Sequence, residues 1–149
     1  LFFTGARKGE VVASSIGNFG TREAAEFQDF GEVLLRSDRA SGYIRVDWFT
    51  PDGLPTWGDG RLTILGTDGY IELRKYVDIA GRDGKDHLFL VNKAGVEYID
   101  CSQEPIEYFG RFIADVRDRT ETAMTHDHVF EVCRLSLEAQ ARAADISPR

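Results

Sequence analysis

The sequence predicts an α+β fold: a mostly antiparallel, open sheet of about seven strands with two helices packed on one face. Two observations lead to this class. Short β-rich runs separated by turn residues fill the first two thirds of the chain, and the last third changes to a helical period. At 149 residues the chain is long enough for a buried core, and we expect a single domain over residues 1–149.

The predicted strands are apolar, β-branched or alternating runs. A polar loop over Gly17–Phe27 follows the first run, and Asp68-Gly69 between two later runs is a strong hairpin signal. Two further hairpins follow from the turn residues between the remaining runs. The predicted strands are Glu10–Ile16, Asp29–Ser37, Gly42–Thr50, Arg61–Leu65, Tyr70–Tyr76, His87–Val91 and Val96–Asp100.

Two helices are predicted over Pro105–Asp118 and Asp127–Ala144. Ser102 or Gln103 is the predicted start of the first, and Thr125 is the predicted cap of the second. Each helix carries an apolar stripe, which we expect to pack on the sheet. The stripes are Ile106, Phe109, Ile113 and Val116 in the first helix, and Phe130, Cys133, Leu137 and Ala141 in the second.

Composition narrows the class of protein. The net charge of -7 argues against a nucleic-acid partner, because phosphate binding needs a basic surface. No apolar run approaches the length of a membrane span. Cys101 and Cys133 lie outside any CxxC spacing, so we expect reduced, mostly buried cysteines in a cytoplasmic protein.

The strand at Gly42–Thr50 has two unlike faces. Ile44, Val46 and Trp48 suit the helix-covered core. The opposite face mixes aromatic and charged side chains, as does the strand at Tyr70–Tyr76, which favours a protein interface over an ordinary solvated face. A solvated face with a few aromatic residues is the alternative. The predicted dimer-interface residues are Tyr43, Arg45, Asp47, Phe49, Glu72 and Arg74.

Familiar catalytic motifs are missing from the sequence. Gly58-Asp59-Gly60 begins like a dinucleotide fingerprint, but Thr63 occupies the third glycine position and a β-hairpin follows. Walker, GxSxG and HExxH motifs do not occur. The two histidines of His126-Asp127-His128 point to different faces of a helix, so we predict no metal site there.

The segment Pro51–Arg61 combines Asp52, Trp57, Asp59 and Arg61 in one irregular stretch. An aromatic plane beside carboxylates is suited to binding a sugar or polyol. A loop that caps the sheet would use similar residues. The residues leave these two interpretations open.

The order of these parts resembles the C-terminal domain of the glucose–fructose oxidoreductase / inositol dehydrogenase / MocA family. The resemblance covers nearly the whole chain and is carried most specifically by the hairpin Ile64-Leu65-Gly66-Thr67-Asp68-Gly69-Tyr70-Ile71-Glu72-Leu73. A strand at Gly42–Thr50 ending near Pro51 and a closing helix at Thr125–Ala143 also match.

The resemblance implies an NAD(P)-dependent oxidoreductase that acts on a sugar, polyol or related hydroxyl compound. Members bind NAD or NADP in an N-terminal Rossmann domain that also holds the catalytic lysine, and a His/Asp pair opens the second domain. Leu1–Gly5 resembles the sequence that follows that pair. No catalytic residue can therefore be carried over, and we expect this chain alone to be inactive and to bind no cofactor.

The second domain of the family supplies substrate contacts and often forms a dimer through its bare sheet face. The resemblance therefore implies a small-molecule substrate, the chain's own Rossmann domain and a second copy as partners. The alternative is a non-catalytic, dimeric α+β module that binds a ligand or organises a complex. The candidate substrate-binding residues are Asn18, Arg22, Asp52, Trp57 and Asp59.

Overall fold

The computed structural model describes residues 1–148, which form two compact units. The first unit contains residues 1–49 and 107–148, and the second contains residues 50–106. A short 3-10 helix over Phe2–Thr4 precedes the first strand. The remaining elements, in chain order, are β1 (Glu10–Gly17), β2 (Phe30–Arg36), β3 (Ser41–Asp47), β4 (Arg61–Leu65), β5 (Gly69–Arg74), β6 (His87–Asn92), β7 (Gly95–Asp100), α1 (Tyr108–Asp118), α2 (His126–Arg142) and β8 (Ala144–Asp145).

The first unit contains a four-stranded sheet in the order β3-β2-β1-β8. β1, β2 and β3 are antiparallel neighbours, whereas β8 runs parallel to β1. The helix α2 packs on β1, where the Ser14 hydroxyl donates a 2.8 Å hydrogen bond to the Ala139 carbonyl. The buried apolar residues of this unit are Ala6, Val11 and Leu135.

Two capping interactions fix the start of α2 and the end of α1. The Thr125 hydroxyl accepts a hydrogen bond from the His128 backbone N–H, which confirms the predicted cap. Arg119 ends α1 in the left-handed conformation, with φ 57°. Asp115 then accepts hydrogen bonds from the loop that connects the two helices.

The second unit is a four-stranded antiparallel meander in the order β4-β5-β6-β7. Its cross-strand register gives each face a distinct character. One face is aliphatic and contains the row Leu62, Leu73, Leu88 and Ile99. The opposite face is polar near the β4 start and becomes aromatic and apolar toward the β4–β5 turn.

The prediction of one sheet of about seven strands was wrong, since the strands form two sheets of four. All seven predicted strands exist, but pairing stops after β3 because an irregular segment follows. Pro51 and Pro55 in that segment have no N–H to donate to a ladder. The eighth strand was missed because it contains only two residues.

The predicted packing of the helices also needs correction. Phe109 and Ile113 of the α1 stripe are both 67% exposed, and Phe130 and Leu137 of the α2 stripe are both 72% exposed. α2 instead turns Glu131 and Leu135 inward. The predicted stripe residues Phe130 and Leu137 thus lie on a side of the helix that does not face β1.

Three further details differ from expectation. Ile44, Val46 and Trp48 are exposed rather than in the core, because β3 is an edge strand while α2 lies along β1. Cys133 is exposed and Cys101 half-buried, although both are free thiols as expected. α1 begins at Tyr108 with Glu107 as its cap, several residues after the predicted start.

Candidate functional site

The loop after β1 is held by a single buried carboxylate. Asp29 accepts hydrogen bonds from the backbone N–H groups of Phe19, Gly20 and Thr21 at 2.8, 2.7 and 3.0 Å. Burial raises the pKa of Asp29, but these three donors outweigh burial and leave the pKa below its usual value. The carboxylate is therefore an anionic anchor that determines the path of the loop.

Asn18 and Arg22 lie in this loop but have different surroundings. The Asn18 amide donates to the carbonyls of Thr21 and Ala24, both at 2.9 Å, and its oxygen accepts from the Thr21 N–H. These bonds engage the Asn18 side chain within the loop. Arg22 is exposed, so its guanidinium is accessible to a ligand.

The segment before β4 presents Trp57 and holds Asp59. Trp57 is 82% exposed, and Asp52 is also exposed. Asp59 is paired with Arg61, whose Nε donates a 2.8 Å hydrogen bond to Asp59 Oδ2. This bond holds the pKa of Asp59 below its usual value. The segment thus combines an accessible aromatic plane with an ionised carboxylate.

A row of charged and polar residues crosses the second sheet beside Asp59. Arg61 is opposite Arg74, Arg74 is opposite His87, and His87 is opposite Asp100. Residues opposite each other in a ladder share a face. We call these four residues the polar row. His87 is fully buried, and its Nδ1 lies 2.8 Å from the Tyr98 hydroxyl.

The loop between β5 and β6 is anchored to this same face. Buried Asp78 accepts a 2.8 Å hydrogen bond from Arg82 Nη1, which lowers the pKa of Asp78. The Arg82 guanidinium lies over the rings of Phe89 and Tyr98, 5.2 and 4.8 Å from their centroids. An ion pair and two cation–π contacts therefore hold this glycine-rich loop.

The predicted dimer-interface residues are divided between the two sheets. Tyr43, Arg45 and Asp47 share one face of β3, and Phe49 follows the strand; Glu72 and Arg74 are in β5. Most of them pair locally. The Tyr43 hydroxyl donates to Glu32 at 2.7 Å, Arg45 pairs with Asp47 at 2.7 Å, and Arg74 pairs with Glu72 at 3.0 Å.

On the face of the first sheet that contains Tyr43, aromatic and charged side chains contact one another. Arg45 lies 5.2 Å from the centroid of the Phe30 ring, and Phe49 stacks on that ring at 6.4 Å. A shallow depression of about 190 Å³ next to Tyr43 is lined by Ala13, Ser14, Ser15, Glu32, Leu34 and Tyr43. An aromatic and charged surface around a shallow depression is suited to packing against another surface.

The sequence led to the prediction of Trp57 and Asp59 as substrate contacts but not to the polar row. His87 was considered only as the start of a predicted strand, and Arg74 was assigned to the dimer interface. Only the register of four strands brings the polar row together, and a single sequence contains no signal for that register. Within residues 1–148, no cluster of three or more His, Cys, Asp or Glu side chains could hold a metal ion.

Comparisons with known proteins show that solved structures share this fold. No family model and no curated protein matches the chain. Among the solved structures that match it, two are of proteins that are each called a "putative oxidoreductase". One, from Erwinia carotovora atroseptica, is 47% identical with a TM-score of 0.93; the match covers 98% of this chain and 44% of that chain.

The second solved structure, from Thermotoga maritima, is 19% identical with a TM-score of 0.74, and the match covers 91% of this chain and 38% of that chain. At this identity the likeness concerns the fold alone. This chain thus spans less than half the length of either protein. Within the described residues, no helix is both long and apolar enough to cross a membrane.

Proposed function

We propose that this chain is the C-terminal domain of an NAD(P)-dependent oxidoreductase of the glucose–fructose oxidoreductase / inositol dehydrogenase / MocA type. Its substrate would be a sugar, polyol or related hydroxyl compound. The observation that carries the proposal is the solved structure at 47% identity, which is called a "putative oxidoreductase" and of which this chain matches 44%. The unmatched part of such a protein has room for a nucleotide-binding domain.

The described residues do not fit NAD or NADP. Dinucleotides bind at a glycine-rich turn between a parallel strand and a helix. Within residues 1–148 every strand pair but one is antiparallel, and the exception, β1 with β8, pairs only two residues of each strand. We therefore assign the cofactor to the remainder of the longer protein, and derive no step through it. This chain would provide the wall of the substrate site.

The proposed substrate contacts have different roles. Trp57 would stack on the apolar face of a sugar ring, while Asp52 and Asp59 would accept hydrogen bonds from its hydroxyl groups. In the first unit, the exposed guanidinium of Arg22 would offer hydrogen-bond donors. Asn18 would act as a positioning residue, because its amide holds the loop that carries Arg22.

Replacing Trp57 tests the substrate contact. In the full-length oxidoreductase, we expect Trp57→Ala to lower kcat/KM about tenfold, since stacking contributes on the order of 1 kcal/mol beyond the buried area. Trp57→Phe keeps an aromatic face and should retain most of the activity. Because Trp57 is 82% exposed, neither change should alter the thermal stability. Unchanged kinetics in Trp57→Ala would remove this residue from the substrate site.

The proposed dimer can be tested by sedimentation velocity. We expect the protein to form a dimer through the β3 face that contains Tyr43, Arg45 and Phe49. Arg45→Glu should shift the protein toward monomer, because it reverses a charge in the proposed interface. Lys93→Glu, at a 91% exposed side chain in the β6–β7 turn, is the matched control and should leave the dimer intact. A wild-type protein that stays monomeric at high concentration contradicts the proposal.

A further inference from the structure

Three polar atoms on the polar face of the second sheet are buried without a hydrogen-bond partner within residues 1–148. They are Asp59 Oδ1, Arg74 Nη1 and His87 Nε2. Native proteins pair the large majority of their buried polar atoms, because a buried polar atom without a partner loses its hydrogen bonds to water and forms none in the protein. Three such atoms on neighbouring residues therefore point to a common function.

Two of the three residues are direct neighbours across the sheet, and the third, Asp59, lies in the segment before β4. Arg74 is directly opposite His87 in the β5–β6 register. Asp59 is paired with Arg61, which is opposite Arg74, and the Arg74 charge adds to that of Arg61 in lowering the pKa of Asp59. The arrangement thus runs from the loop before β4 to the interior of the polar face.

The arrangement has an open end and a closed end. The side chains of Asp59 and Arg74 each keep 18% of their surface exposed, whereas His87 is 0% exposed. The bond between His87 Nδ1 and the Tyr98 hydroxyl fixes the imidazole ring and leaves Nε2 for another partner. A ligand would enter from the side of Asp59, where Trp57 is exposed two residues earlier.

The available atoms favour a neutral hydroxyl compound. Asp59 Oδ1 accepts hydrogen bonds, Arg74 Nη1 donates them, and His87 Nε2 does one or the other according to its tautomer. A hydroxyl group both donates and accepts hydrogen bonds, so it can pair with each of these three atoms. Charge does not favour an anion, because the three cations here are outnumbered by four carboxylates: Arg61, Arg74 and Arg82 against Asp59, Glu72, Asp78 and Asp100.

We propose that Arg74 and His87, together with Asp59, form a binding site for the hydroxyl groups of a neutral polyol. This inference rests on the proposed function, in which Asp59 already contacts the substrate. It extends the site from the exposed loop into the sheet. Arg74 thereby becomes a ligand-binding residue instead of a dimer contact.

Binding can be followed by NMR on the protein itself, with myo-inositol as the neutral probe and inorganic sulfate as the anionic one. We expect myo-inositol to cause saturable shifts of the His87 ring and Trp57 indole signals, and sulfate to cause none. His87→Asn keeps an amide near the Nδ1 position but lacks Nε2, so it should weaken binding about tenfold. His87→Gln places an amide near the Nε2 position and should bind within about twofold of wild type.

A second variant covers the case in which a substitution of buried His87 prevents folding. Arg74→Lys keeps the charge beside Glu72 but lacks the Nη1 donor, and it should weaken binding in the same way. Shifts at Trp57 without shifts at His87 would overturn this inference and leave the proposed substrate loop standing. No saturable shift at either residue would count against both. Saturable binding of sulfate alone would overturn the choice of a neutral ligand.

Discussion

Replacing Glu131 by Ala should lower the free energy of unfolding by about 2 kcal/mol. Glu131 is 3% exposed and accepts hydrogen bonds from Arg134, Lys8 and the Gly9 backbone N–H at 2.8, 3.3 and 3.0 Å. It thereby ties α2 to the segment that leads into β1. Removing one partner of a fully buried ion pair costs about 3–5 kcal/mol. The loss expected here is smaller, because the side chains of Arg134 and Lys8 are 49% and 83% exposed.

The same carboxylate makes stability depend on pH. The Arg134 hydrogen bond, followed by that of the Gly9 N–H, lowers the pKa of Glu131 from 4.5 to about 2. A lowered pKa means that the folded state favours the ionised form. Its contribution is therefore fully present above the unfolded value near 4.5 and disappears as the pH falls toward 2.

Urea denaturation of wild type and Glu131→Ala at several pH values checks both expectations. The difference between the two proteins should be largest near neutral pH and should shrink below pH 4.5. Glu107→Ala is the matched control, because that glutamate also pairs with an arginine but is 56% exposed. A loss in Glu131→Ala no larger than in Glu107→Ala would contradict the assigned role.

Replacing Asp115 by Asn should lower the Tm by about 5 °C or more. Asp115 is 7% exposed, and its two oxygens accept from the hydroxyls of Thr120 and Thr122 and from the backbone N–H groups of Thr122 and Ala123, at 2.6 to 2.9 Å. These bonds, the Thr120 hydroxyl first, lower the pKa of Asp115. An asparagine keeps the shape but has one acceptor oxygen and no charge.

Thermal melts and amide hydrogen exchange test this role. In Asp115→Asn, the amides of Thr122 and Ala123 should exchange faster than in wild type, because the loop between α1 and α2 loses its anchor. Asp118→Asn is the control, since Asp118 is 48% exposed and pairs only with its neighbour Arg117 among the described contacts. Unchanged exchange at both amides would show that the loop does not depend on this carboxylate.

Local elements could be predicted from the sequence because their signals are local. Alternation and turn residues located seven strands, with boundaries that differ by up to three residues at some ends. Thr125 was identified as a cap because it directly precedes an apolar helical pattern. The β8 strand has no such pattern, since two residues contain no periodicity.

Long-range features could not be predicted, because a single sequence does not show which surface an apolar stripe or a buried side chain packs against. The stripes containing Phe109 and Phe130 lie on helices, except that Ile106 precedes α1, but their partner was assumed to be the sheet. The buried acids Glu131 and Asp115 were missed for the same reason, since each owes its environment to residues in another element. The candidate site shows the same division: Trp57 and Asp59 stand in one segment, whereas Arg74 and His87 meet only across strands.

The second unit interrupts the chain of the first, and this arrangement affects the order in which the two units fold. The second unit is formed by one uninterrupted stretch of chain, in which each strand pairs with the next in sequence. The first unit needs its two distant pieces to meet, since Ser15 pairs with Ala144. Because closing a long loop is entropically costly, the meander should form early during folding, and the first unit should become complete only after β8 has been synthesised.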